Sequence, residues 1–125
     1  MSAKILIVDD SGLARRMTRQ ILEELGHSVE EAEDGATALE RYVINQHDLI
    51  VLDMVMHGMY GLEVLAKFKE LNPRLPVIIA TADIQKSTRE QVRAGGAAAI
   101  VNKPLKKEDM ASILGTVLSG GDAWN

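Results

Sequence analysis

Leu49-Ile50-Val51-Leu52-Asp53 is four large apolar residues running straight into a carboxylate. An apolar run without alternation is the pattern of a strand covered on both faces, as a central strand of a parallel sheet is. Asp53 then stands at the carboxyl end of that strand. Ligands and chemistry collect at this edge of open parallel sheets, because the connecting loops open there while helices close both faces. Two readings of the acid compete: a reactive group, or a cap for the segment that follows.

Working outward, Lys4-Ile5-Leu6-Ile7-Val8 is a second unbroken apolar run and it too ends in acid, at Asp9-Asp10. Ser11 is placed to cap a helix in which Ala14, Met17, Ile21, Leu22 and Leu25 recur at helical spacing until Gly26. Arg15, Arg16, Arg19, Glu23 and Glu24 form its other face, read as a solvated surface with an arginine paired to a glutamate four residues on. Ser28-Val29-Glu30-Glu31-Ala32 is a more polar strand suited to a sheet edge. Asp34-Gly35 opens a helix with Ala36, Leu39 and Val43 on one side. His27 and His47 fall in turns and carry no expected role.

Beyond Asp53, Met54-Val55-Met56-His57-Gly58-Met59-Tyr60-Gly61 reads as a loop, followed by a helix with Leu62, Leu65 and Phe68 facing the core. Asn72-Pro73-Arg74-Leu75-Pro76 breaks it. Val77-Ile78-Ile79-Ala80 is another strand, ending at Thr81. The next helix, roughly 85–94, offers only Ile84, Val92 and Ala94 as apolar anchors, with Ser87-x-x-Glu90 as a capping box, so it is the helix most prone to move. Gly95-Gly96 ends it, and a small-residue strand over 97–102 reaches Lys103-Pro104. Met110, Ile113, Leu114, Val117 and Leu118 give the last helix the cleanest amphipathic pattern in the chain. The expected organisation is one domain over 1–119 and a flexible C-terminal tail over 120–125.

Composition limits the function classes. At 125 residues, 46% apolar and 26% charged, the chain can bury one sizeable core. A net charge of -4 argues against nucleic acid as a direct partner. With no cysteine there is no thiolate metal site or thiol nucleophile. No apolar stretch approaches the roughly 20 residues of a membrane span, and the start has no secretory apolar region, so the expectation is a cytoplasmic protein with no membrane contact.

Strands and helices alternate five times, which implies an α/β fold: a parallel sheet with right-handed crossovers and helices on both faces. Asp9, Asp10, Asp53, Thr81 and Lys103 all fall on one rim, each at or just beyond the carboxyl end of its strand. If the first and third strands are neighbours, three carboxylates crowd together, and two unit charges 4 Å apart repel by about 4 kcal/mol at an effective dielectric near 20. Lys103 supplies one cation. The remaining acid is the hard-oxygen environment that Mg²⁺ prefers. The set suits phosphoryl transfer, with Asp53 as nucleophile, Asp10 binding Mg²⁺ directly, Asp9 binding directly or through water, and Thr81 and Lys103 on the phosphoryl oxygens.

Val8-Asp9-Asp10-Ser11, Asp53 with Gly61 eight residues on, Thr81-Ala82 and Lys103-Pro104 together resemble the response regulator receiver domain, from about Lys4 to Leu118; five motifs in order are far more specific than any one. The resemblance implies a flavodoxin-like, doubly wound five-stranded parallel sheet in the order 2-1-3-4-5 with five helices. It implies that a histidine kinase or histidine phosphotransfer protein donates a phosphoryl group to Asp53, with Mg²⁺ held by Asp9, Asp10, Asp53 and the Val55 backbone carbonyl. It further implies self-catalysed phosphorylation and dephosphorylation without conventional multiple turnover, a switch through the Thr81 loop and fourth helix toward an unknown protein target, and a monomer or weak phosphorylation-dependent dimer. Three departures stand out. Ile100 occupies the position of the family's switching aromatic, so a ring-flip readout is excluded. His57 replaces the proline common after the phosphorylated strand, and an apolar Val55, with Asp83, stands where the family tunes access of the hydrolytic water. The competing readings are a non-phosphorylated pseudo-receiver, a flavin or nucleotide binder of the same architecture, and a small-molecule Mg²⁺ phosphohydrolase.

Overall fold

A computed structural model of the chain describes residues 2–56, 59–82 and 85–124, and of Met56 and Met59 the backbone only. His57, Asp83 and Ile84 therefore lie outside the described residues, as do the side chains of Met56 and Met59.

Five strands, β1 (Lys4–Val8), β2 (Ser28–Ala32), β3 (Leu49–Asp53), β4 (Val77–Thr81) and β5 (Ala99–Asn102), form one parallel sheet in the order 2-1-3-4-5. Between and after them run α1 (Gly12–Glu24), α2 (Gly35–Asn45), α3 (Gly61–Leu71), α4 (Lys86–Ala94) and α5 (Lys107–Leu118). The fold class expected from the residues and from the resemblance is the observed one. Because side chains alternate across a strand, the apolar runs split into two cores. Leu6, Val8, Ile50, Leu52 and Ile79 pack with Tyr42 of α2, Val64, Leu65 and Phe68 of α3, and Val92 of α4. Ile5, Ile7, Val51 and Ile78 pack on the other face with Leu22 of α1 and Met110, Leu114 and Val117 of α5. Complete burial of such a side chain contributes about 1.5–3 kcal/mol, which fixes the central strands and the rim they carry.

Local details depart from the sequence reading. In α1 the buried pair is Thr18 and Leu22, while Met17 lies exposed. In α2 the buried residues are Gly35, Ala38 and Tyr42, while Ala36 and Val43 are exposed. Tyr42 turns that helix, setting its ring edge-on to Phe68 at 5.6 Å and stacked over His47 at 6.2 Å. The two turn histidines are structural. The His47 side chain is fully buried, with Nε2 2.6 Å from Glu30 Oε1, and His27 Nδ1 accepts the Ala3 N–H at 3.0 Å, its pKa pulled below the ordinary value by burial. The segment after Asp53 is not all loop, since Val55–Met56 and Met59–Tyr60 pair as a small antiparallel ribbon.

Helix α4 begins after Gln85, which makes no side-chain cap bond, so Ser87 and Glu90 lie inside the helix rather than in a capping box. Val92 is its one buried residue among those described, and Ala94 is exposed. The last strand starts at Ala99 instead of Ala97, and the Lys103-Pro104 peptide is cis. After α5 the chain turns at Gly120 and runs back toward the amino edge of the sheet, where Ala123 N–H donates to Ala98 O at 2.9 Å.

Candidate functional site

Register brings the acids together. Val8 pairs with Leu52, so the residues that follow, Asp9 and Asp53, emerge side by side from neighbouring central strands. Asp9, Asp10 and Asp53 each offer a carboxylate oxygen, all within 4.8 Å of one another; Asp9 and Asp53 are buried and Asp10 is exposed. On the far side of Asp53, β4 and β5 end with Thr81 paired to Asn102, and the Lys103 N–H donates to Thr81 O at 2.8 Å. That bond seats Lys103 beside β4. Its ammonium reaches back over the sheet end to Asp9 Oδ2 at 2.7 Å and Asp53 Oδ1 at 2.9 Å. Thr81 is buried at the end of β4.

Neighbouring backbone holds the cluster in shape. The other Asp9 oxygen accepts the Ser11 N–H at 2.9 Å, which ties the acid to the start of α1, and Ser11 Oγ in turn accepts from Ala14 N–H at 3.1 Å as the expected cap. Gly61 opens α3 directly behind Asp53. A Cβ at that position would lie 2.7 Å from Asp53 O and 2.8 Å from Met54 Cα, and the Gly61 N–H donates to Met54 O at 2.7 Å. Only a residue without a side chain lets the helix start this close to the strand end.

The electrostatics follow from crowding. Burial pushes the Asp53 carboxyl above its ordinary value, and the negative charges of Asp9 and Asp10 push the same way, against the pull of the Lys103 ammonium. Burial alone would lower the Lys103 pKa; hydrogen bonds to Asp9 and Asp53 reverse that and hold it above its ordinary value. The Lys103 ammonium serves two of the three carboxylates, Asp9 and Asp53. A site whose described ligand groups are carboxylate oxygens, one of them on an acid destabilised in its charged form, fits a hard divalent cation such as Mg²⁺.

The residues expected on the rim are therefore gathered there: the carboxylates of Asp9, Asp10 and Asp53 close together, Lys103 paired with Asp9 and Asp53, and Thr81 on the adjoining strand end, bonded through its carbonyl to Lys103. Val55 follows on the exposed ribbon. Arg15 was missed. The sequence pattern puts it on a solvated face, yet its Nη1 donates to Asp9 O at 2.6 Å while its Nε bonds Glu31 at 3.0 Å, bracing the strand end that carries the acids. The available signal is position: a helix starting two residues after Asp10 folds its first turns back over the strand end.

Comparison with known proteins agrees with this geometry. A family model described as response regulator receiver domain matches residues 5–115. The chemotaxis protein CheY of Halobacterium salinarum is 32% identical over 119 residues, covering 95% of this chain and 99% of that protein. The response regulator MprA of Mycobacterium bovis is 34% identical over 118 residues, which cover 94% of this chain and 51% of that regulator. Among solved structures, Vibrio cholerae CheY4 superposes with a TM-score of 0.86 at 29% identity, covering 92% of this chain and 98% of the other. A CheY-like receiver domain protein from Methanospirillum hungatei superposes at 0.88 with 28% identity and 95% coverage of each chain.

Proposed function

The chain belongs to the response regulator receiver domain family of two-component signalling, and on that premise we propose that Asp53 accepts a phosphoryl group from a phosphohistidine of a histidine kinase or histidine phosphotransfer protein. The observation that carries the proposal is the buried Asp53 carboxylate, held by Lys103 at 2.9 Å and crowded by two further acids. An Asp53 oxygen attacks phosphorus as the bond from phosphorus to the donor imidazole nitrogen breaks, and the imidazole leaves with the electron pair. Return to the resting state is attack by water on the same phosphorus, which frees the carboxylate and inorganic phosphate.

Each neighbour has a defined task. Asp10 and Asp53, the Val55 carbonyl, and Asp9 directly or through water are the groups that would hold Mg²⁺, which when bound offsets the charge of the acids and of the incoming phosphoryl oxygens. The support for Asp9 as the more indirect ligand is that its two oxygens already serve Lys103 and Ser11. Lys103 moves from the carboxylates to a phosphoryl oxygen, with the Thr81 hydroxyl donating to another; charge spread over these oxygens needs donors more than covalent help. Two features support relay through the Thr81 loop and α4: the bond from Lys103 N–H to Thr81 O, and the sparse anchoring of α4. Ile100 at the family's aromatic position leaves that relay to aliphatic packing. We place the protein in the cytoplasm, as a stand-alone or partial regulator acting on a protein target; the described helices include none long and apolar enough to cross a membrane.

Intact mass spectrometry after incubation with acetyl phosphate and Mg²⁺ tests the reading. One phosphoryl group is expected on the native chain and none on Asp53→Asn. Labelling of the variant to the same extent overturns Asp53 as acceptor, and no labelling of either chain favours the pseudo-receiver.

A further inference from the structure

The segment after α5 has a contact that phosphoryl chemistry at the opposite edge does not use. Helix α5 closes with Gly120 N–H donating to Val117 O and Gly121 N–H to Thr116 O, both at 3.1 Å, around a left-handed Gly120 at φ +97. This paired closure is a Schellman turn, which reverses the chain at a helix end and strongly favours glycine at its left-handed position. The reversal sends the next residues to the loop that links α4 to β5. There Ala123 N–H donates to Ala98 O at 2.9 Å, and the Trp124 indole N–H donates to Ala97 O at 2.9 Å.

The Trp124 ring also meets α4 itself. The guanidinium carbons of Arg89 and Arg93, one helical turn apart, lie 5.9 and 5.6 Å from the ring centroid, within the range where a cation is attracted to the aromatic face. The indole packs on the core cluster that contains Val92, Ala97 and Ile100. Helix α4 lacks a side-chain cap bond at its start and has Val92 as its buried residue among those described. An element with so few anchors opens locally at low cost, so one additional aromatic contact spanning a full turn is a large share of what holds it.

We propose that residues 120–124 are an intramolecular strap whose Trp124 clamps α4 to the sheet. With the indole seated, α4 is docked and the guanidiniums of Arg89 and Arg93 lie over the ring; with the indole released, α4 loosens and the two guanidiniums lose that contact. The device links the end of α5 to the helix that follows Thr81. It stands whether or not Asp53 is phosphorylated.

Trp124 is the one tryptophan of the chain, so its emission reports the strap directly. In the native protein, acrylamide should quench it several-fold less than a free tryptophan amide; equal quenching overturns the proposal. Hydrogen exchange gives the second readout. Trp124→Ala should speed exchange of the α4 amides by about tenfold while α1 and α2 keep their native rates. Unchanged exchange in α4, or the same acceleration in all five helices, overturns the strap. Gly120→Val leaves every contacting side chain in place and misdirects only the turn. It should raise both Trp124 quenching and α4 exchange, and a variant with native values of both overturns the assigned route of the chain.

Discussion

Two groups of acids sit on one sheet and behave in opposite ways. On the outer strand β2, burial by itself raises Glu30 and Glu31, yet both are held below the ordinary glutamate value: Glu30 by bonds from His47, Arg41 and Asn45, and Glu31 by bonds from Arg19 and Arg15. On the central rim, Asp53 shares the Lys103 ammonium with Asp9, has Asp10 nearby, and is pushed above its ordinary value. Burial acts in the same direction at both places but weighs most on Asp53, whose side chain is 11% exposed against 28% and 29% for Glu30 and Glu31. On β2 the bonds from neighbouring side chains outweigh it, whereas at Asp53 the bond to Lys103 does not, and the charges of Asp9 and Asp10 add to the push.

The contrast can be broken most severely at Lys103. Lys103→Met leaves Asp9 and Asp53 facing each other without their shared ammonium, with an expected loss of about 2–3 kcal/mol at pH 7 without Mg²⁺, read from urea denaturation. A loss no greater than that of a β2 variant would erase the distinction. Adding Mg²⁺ is the next largest effect: at tenfold excess over its dissociation constant it should stabilise the native chain by about 1.4 kcal/mol. An unchanged melting temperature in millimolar Mg²⁺ would count against a metal pocket among these acids.

Asp53→Asn sharpens the comparison in the opposite sense, since removing a crowded charge should stabilise the metal-free chain by about 1 kcal/mol at pH 7. The sign follows from linkage. Between the ordinary value of 3.8 and its raised native value, Asp53 binds more protons in the folded state, so its contribution to stability falls as pH rises through that window and stays lost above it. Melting temperature against pH should show that fall in the native chain and its absence in the variant. Smallest is Glu31→Gln on β2, with an expected loss of about 0.5–1 kcal/mol at pH 7. Here the slope reverses: the contribution of a lowered carboxyl is present above its ordinary 4.5 and disappears as pH falls through its native value. Variant and native chains should therefore converge in acid, and a gap that persists there would assign the loss to packing instead of charge.

How much of this was legible differs by element. The apolar runs of β1, β3 and β4 announce buried strands because every residue is large and apolar, so no choice of face is needed. In α1 and α2 the expected Leu22, Ile21, Leu25 and Leu39 do pack on the cores, but Met17, Ala36 and Val43 are exposed and Thr18, Ala38 and Tyr42 are buried in their stead. Thr18 and Tyr42 are buried through neighbours far along the chain, such as Phe68 beneath Tyr42, and periodicity within a helix carries no record of those partners. His47 lies in the α2–β3 connection as read, but its burial was not legible, because it comes with a bond to Glu30, 17 positions earlier on β2. At the site, Asp9, Asp10, Asp53, Thr81 and Lys103 were legible from their places at strand ends. The brace from Arg15 was not, because a side chain that spans two elements belongs to neither pattern.

By itself the sequence determined which residues end the strands and which side-chain groups they bring there, since strand length and apolar continuity are local properties of the chain. Strand order did not follow from alternation alone; it came with the family resemblance, and pairing in the folded sheet realises it. Tertiary structure alone decided that one ammonium serves two acids, at 2.7 and 2.9 Å, and that Trp124 rests on α4. Those are distances between residues remote in sequence, set by how helices and strands pack and by where a left-handed glycine turns the chain.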